Sequence, residues 1–174
     1  MLIFIMTHLL LTPKSIATPA DLPAARLGPR FGRLDLLSQL ALLAVESLAP
    51  NFDEMSRDRI GICLAARAGS LATDLEYWNG RDSPGGPSPT LFAYTLPSAA
   101  IGEIAIRHRL TGPNLCFVGE EAILSSEAGY LIRRGEADAC LTVFCDVVTP
   151  AVAEMLQTSP AAEATACFLK RDGN

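Results

Sequence analysis

The chain has 174 residues, 49% of them apolar, and a formal net charge of −5 spread along its length. That apolar share excludes a disordered chain, and the length suits a single domain, 1–174, with a good core. Without any basic block, nucleic acid is not expected as a partner.

Residues 1–11 (MLIFIMTHLLL) read as a buried strand. The apolar run is long enough for the core of a signal peptide, but no basic residue precedes it, and it is too short to span a bilayer. Residues 12–29 carry Pro13, Pro19, Pro23 and Pro29 and read as a proline-rich surface connection. Residues 33–48 place Leu36, Leu37, Leu40, Leu43, Ala44 and Leu48 at helical spacing, and Pro50-Asn51 ends the run. Residues 59–66 (RIGICLAA) suit a buried strand, followed by the turn Ala68-Gly69-Ser70. A short helix is expected at 71–78 and a loop at 79–89. Pro97 opens a helix over 99–109, with Ile101, Ile104 and Ala105 on one face. His108, near its end, reads as a solvated or capping histidine.

The stretch 112–146 is the most informative. Residues 115–118 form a short apolar strand, Gly119-Glu120-Glu121 a turn, 122–134 a helix stopped at Gly135, and 139–144 a second apolar strand. Thr149-Pro150 opens a helix over 151–156, and 163–170 alternates as a last strand. Strands alternating with helices predict an α/β fold with a mainly parallel sheet. No repeat or low-complexity segment interrupts it. The cysteines, Cys63, Cys116, Cys140, Cys145 and Cys167, form no CxxC pair and mostly lie in apolar runs. They read as reduced, buried thiols of a cytoplasmic protein.

Several segments are similar to β-ketoacyl synthases of the thiolase superfamily. They include the entry Asp35-x-x-Ser38-x-x-Ala41-Leu42, the strand opening Arg59-Ile60-Gly61, and Pro97-Ser98-Ala99-Ala100-Ile101-Gly102. Gly112-Pro113 and the turn Arg133-Arg134-Gly135-Glu136-Ala137-Asp138 complete the order. The resemblance covers residues 30–170. It implies one thiolase-like half-fold, a five-stranded mixed sheet with helices on its faces. The central strands would be 59–66, 115–118 and 139–144. In that family a cysteine stands at the N-terminus of the helix after the Gly-Pro strand. There the helix dipole and free N–H groups lower the thiol pKa so that it can accept an acyl chain.

Here the cysteine is missing. Spacing back from Gly135 lands near Val118; the local turn lands on Glu120 or Glu121. A carboxylate suits the helix start as a cap and charge complement, but it is a poor acyl acceptor. Cys116, just before the turn, is the alternative as a displaced nucleophile. The family's second half also supplies two histidines, or a histidine and an asparagine; this chain has only His8 and His108.

The resemblance therefore implies a non-condensing protein of fatty-acid or polyketide biosynthesis. The turn Val118-Gly119-Glu120-Glu121-Ala122 is similar to that of chain-length-factor subunits, in which glutamine replaces the cysteine. A homodimer, or a heterodimer with a full ketosynthase, is implied. Leu115 and Phe117 are the interface candidates, because their strand lies beside the edge that pairs between subunits. Alternatives are a synthase or acyltransferase subunit completed by another chain, or a module binding acyl carrier protein through Arg26, Arg30, Arg33 and Arg107. Against the last stands an ordinary solvated basic rim. No cofactor or metal is expected.

Overall fold

The structure, a computed structural model, describes residues 2–11, 28, 30–46, 48–53 and 55–171. Its strands are β1 (Leu2–Leu11), β2 (Ile60–Ala66), β3 (Asn114–Val118), β4 (Ala139–Val148) and β5 (Ala161–Arg171). Its helices are α1 (Leu36–Glu46), α2 (Leu71–Gly80), the single turn α3 (Pro89–Phe92), α4 (Ser98–His108), α5 (Ala122–Arg133) and α6 (Pro150–Leu156). The sheet runs β1-β5-β4-β2-β3. β3, β2 and β4 are parallel, while β5 is antiparallel to β4 and to β1. The expected α/β fold with a mixed sheet and helices on its faces is what forms.

The three strands expected at the centre do lie side by side, as β4-β2-β3. β3, however, is the edge strand. β4 extends to Val148, beyond the expected end at 144, and all ten of its residues are buried. A strand covered on both faces reads as a continuous apolar run.

One face of the sheet carries α1 and α4. Ile62, Leu64, Leu141, Val143, Ala164 and Phe168 point into that core beneath Leu40, Ala41 and Ile104. α1 begins at Asp35, whose carboxylate accepts from the Ser38 N–H (3.1 Å) and from Thr73 Oγ1 (2.9 Å), tying the helix start to α2. The helix is shorter than the expected 33–48, because residues 31–33 form a 3₁₀ turn and Pro50 enters a second one. The other face carries α5, which packs Leu124, Ala128, Leu131 and Ile132 on Cys63, Cys140 and Phe144.

β5 records the difference between the faces. Ala162, Ala164, Ala166 and Phe168 are buried under α1, whereas Ala161, Glu163, Thr165 and Cys167 are only half-buried on the α5 side.

Glycine is required where β2 and β3 approach each other. A Cβ on Gly112 would collide with the backbone carbonyl of Ile60. That closeness lets the Ile62 N–H reach the Pro113 carbonyl at 2.9 Å and sets the β2–β3 register. The expected loop at 79–89 is modified at both ends: α2 runs on to Gly80, and Pro89 opens α3 under the Ser88 cap. The proline-rich connection at 12–29 lies outside the described residues, apart from Gly28.

Candidate functional site

β2, β3 and β4 are parallel, so their C-terminal ends open on one edge of the sheet, where α/β folds hold their ligands. The four candidate turn residues meet there. β3 ends at Val118, which is 71% exposed, and the Gly119 N–H bonds the Ala66 carbonyl at 3.1 Å. Glu120 and Glu121 follow as exposed residues, and α5 begins at Ala122. Glu121 sits at the N-cap in helical geometry (φ −54°) and makes no side-chain cap. The expectation that these glutamates cap α5 is therefore corrected. The αR backbone turns the carboxylate away from the free N–H groups, leaving only its charge to complement the dipole.

Behind the turn lies a charge cluster that the sequence reading did not single out. Arg67, the first residue after β2, extends Nε to Asp146 Oδ2 (3.2 Å) and Nη2 to Glu163 Oε1 (2.6 Å). Its Nη1 lies 3.8 Å from Glu120 Oε2. The guanidinium stacks over Phe144 at 5.2 Å. Asp146 is 3% exposed and also accepts from the Ala68 N–H at 2.8 Å. Burial works against the arginine's charge, but Asp146, Glu120 and Glu163 outweigh it and hold its pKa above the ordinary value. Asp146 was legible in principle: an acid inside the apolar run of β4 must find a partner if it is buried.

The cysteine alternative fares differently. Cys116 is exposed, on the face of β3 opposite the half-buried Leu115 and Phe117 that pack under α5. Partial burial raises its pKa against the opposing pull of the Phe117 N–H, so it rests as a thiol.

Of the two roles expected for His108, solvated or capping, the solvated one does not hold. Its side chain is 9% exposed and packs edge-on against Phe52 at 5.4 Å, at the N-terminal end of the parallel strands. Burial, with Arg107 and Arg57 nearby, pushes its pKa below the ordinary value, against the opposing effect of Glu46. His8 lies on β1, opposite Thr165 of β5. Neither histidine belongs to the turn.

Of the basic residues, Arg107 is clamped on Glu46 (2.7 and 2.9 Å) and Arg30 lies 3.9 Å from Glu103. Arg33 is exposed, and Arg26 lies outside the described residues. Beside the α5 N-terminus, a mainly apolar groove of about 380 Å³ runs between α5 and β5. Its lining includes Glu121, Ser125, Phe144, Thr165 and Cys167. Among the described residues no cluster of three or more histidine, cysteine or carboxylate groups could hold a metal, and no helix is long and apolar enough to cross a membrane. Among the described residues, the edge thus combines carboxylates, a buttressed arginine and an apolar groove, and its nearest thiol, Cys116, has a raised pKa.

No family model and no curated protein matches the chain. Solved structures do. The chain is similar to the ishigamide ketosynthase/chain length factor (TM-score 0.73, 22% identity), over 85% of this chain and 47% of that one. It is similar to a ketosynthase (ApeO) in complex with its chain length factor (ApeC) from Xenorhabdus doucetiae (TM-score 0.72, 21% identity), over 98% of this chain and 79% of the other. A third likeness is to AntDE:AntF, a type II polyketide synthase acyl-carrier protein in complex with its ketosynthase bound to the hexaketide. There the TM-score is 0.69 and the identity 16%, over 91% of this chain and 56% of that one. The chain spans about half the length of the first and third matched chains and about four-fifths of the Xenorhabdus chain. At these identities the likeness is one of architecture: this chain has the fold found in ketosynthase and chain-length-factor proteins.

Proposed function

We propose that the chain is a non-condensing, chain-length-factor-like partner of a ketosynthase in fatty-acid or polyketide biosynthesis. It would be a cytoplasmic protein whose whole length forms one thiolase-like half-domain around a five-stranded sheet. The observation that carries this is the α5 N-terminus. In the ketosynthase fold that position needs a thiolate to hold the acyl chain, and here Glu121 stands there as an exposed carboxylate. The nearest thiol, Cys116, faces away from α5 and rests protonated. The good fit to a short chain of a ketosynthase–chain length factor complex supports a role beside a condensing enzyme.

The partner would join at β3. This edge strand offers an unpaired backbone, and the exposed Val118 lies at its end. Leu115 and Phe117, beneath α5, would hold the strand's shape at the interface. An acidic acyl carrier protein would meet the exposed Arg30 and Arg33.

The test is co-expression with a full Cys-His-His ketosynthase. A one-to-one complex by light scattering is expected, with product chain lengths that change when this subunit is omitted. After incubation with acyl-carrier thioesters, mass spectrometry should find the acyl group on the synthase alone. Acyl adducts on Cys116 or Glu121 would overturn the reading. So would a chain that stays apart from the synthase and leaves its products unchanged.

A further inference from the structure

The mainly apolar groove between α5 and β5 has a floor of paired rows. On this side of the sheet Thr142 lies opposite Cys167, Phe144 opposite Thr165, and Asp146 opposite Glu163. The first two rows line the groove. The third, about 7 Å further along the strands, is the carboxylate pair that Arg67 bridges. The groove therefore ends against a guanidinium, stacked on the same Phe144 ring that forms part of its lining.

That guanidinium is held in place but not fully used. Nε donates to Asp146 and Nη2 to Glu163, whereas Nη1 has only Glu120 Oε2 at 3.8 Å, beyond hydrogen-bonding distance. Nearly half of the side chain is exposed. An arginine fixed through two of its nitrogens loses little freedom when it donates from the third. The charge around it decides what it can receive. Asp146, Glu163 and Glu120 outnumber the one cation, so a further carboxylate is repelled. An ammonium has no acceptor to offer Nη1. A neutral carbonyl oxygen accepts from Nη1 and brings no charge.

Size sets the rest of the ligand. The groove's 380 Å³ holds about fifteen non-hydrogen atoms, scaled from benzene in a cavity of about 150 Å³. We infer that the groove binds an uncharged amphiphile, its apolar chain between α5 and β5 and its carbonyl oxygen on Arg67 Nη1. The inference stands apart from the proposed function, which places the partner at β3.

Calorimetric titration of the purified chain with decanamide, decanoate and decylamine tests the headgroup. Decanamide should bind about tenfold more tightly than either charged analogue. Arg67→Lys keeps a cation between Asp146 and Glu163 but removes Nη1, and should weaken decanamide about tenfold. Glu120→Gln removes one repelling carboxylate and should narrow the preference over decanoate. Position is read by N-ethylmaleimide alkylation of the parent chain, mapped by mass spectrometry. Cys167 lines the groove, whereas Cys116 is exposed on the opposite face of the sheet. Decanamide should slow alkylation of Cys167 and leave Cys116 unchanged.

No decanamide binding up to its solubility limit overturns the inference. So does a charged analogue that binds as tightly, or a Cys167 that decanamide leaves unprotected. Parental affinity in Arg67→Lys, or an unchanged preference in Glu120→Gln, equally overturns it. The headgroup series and the alkylation use the parent chain, so they decide the matter even if a variant fails to fold. Failure to bind a ketosynthase would count against the proposed function alone.

Discussion

Replacing Arg67 by methionine removes the one cation of the cluster while keeping most of its packing over Phe144. The three carboxylates around it do not weigh equally. Glu120 is 72% exposed in its side chain and 3.8 Å away, so its pairing contributes little. Glu163 is closer, at 2.6 Å, but reaches solvent. Asp146 is the costly one: its side chain is 4% exposed, and after the change it keeps only the Ala68 N–H. Breaking a fully buried pair costs about 3–5 kcal/mol. Arg67 is itself nearly half-exposed, which lets water reach the pair, so the loss should be about 2–3 kcal/mol. In a chain of this size that lowers the melting temperature by roughly 5–10 °C.

The assay is a double-mutant cycle by urea denaturation, with Arg67→Met, Asp146→Asn and both together. Asparagine keeps an acceptor for Ala68 without the charge. The double variant should therefore be less destabilised than the sum of the singles, by about 1–2 kcal/mol. Glu120→Gln, as a surface control, should stay within about 0.5 kcal/mol of the parent. Strict additivity, or an Arg67→Met variant as stable as the parent, would refute the ranking of the three carboxylates and the claim that Asp146 needs its cation.

Gly112→Ala should cost about 2–4 kcal/mol in denaturant unfolding, because its Cβ must push β3 away from the Ile60 backbone. A variant of parental stability would mean that the strands part without resistance. For His108 the folded pKa lies below the unfolded value of about 6.5, so the unfolded state takes up the proton first. Stability should then be complete at neutral pH and fall as pH drops through that unfolded value and on towards the folded one. His108→Gln should flatten this part of the thermal-stability profile; an unchanged slope would show that other groups set it.

Much of the architecture could be read from residue order alone. The β2-α2 and β3-α5-β4 units followed from period and punctuation: apolar runs closed by Gly69, Gly119 and Gly135, and a helix introduced by Pro97. What escaped depended on contacts distant in sequence. The apolar run of β4 ends at 144 in the sequence, but the strand continues through Asp146, whose carboxylate is held by Arg67, 79 residues earlier, and by the Ala68 N–H. His108, at a helix end between Arg107 and Arg109, has a polar sequence context, but Phe52, from another segment, covers it. Glu120 and Glu121 occupy the helix start that sequence assigned to them, yet backbone angles, which composition does not report, withhold the cap. The positions of the candidate turn were thus legible, while the arginine that buttresses it was not.

The pairing of β1 has a consequence for how the protein is made. Leu2 lies opposite Arg171, and Leu11 opposite Ala162. A ribosome adding about 5–20 residues per second needs roughly ten to thirty seconds to pass from the first of these strands to the second. Throughout that interval the segment LIFIMTHLLL is synthesised but has no native neighbour to pair with. Uncharged, rich in β-branched and aliphatic residues and free of proline, it has the composition of a segment that associates with other nascent chains. The late arrival of β5 therefore makes translation a stage at which native protein can be lost to association between chains.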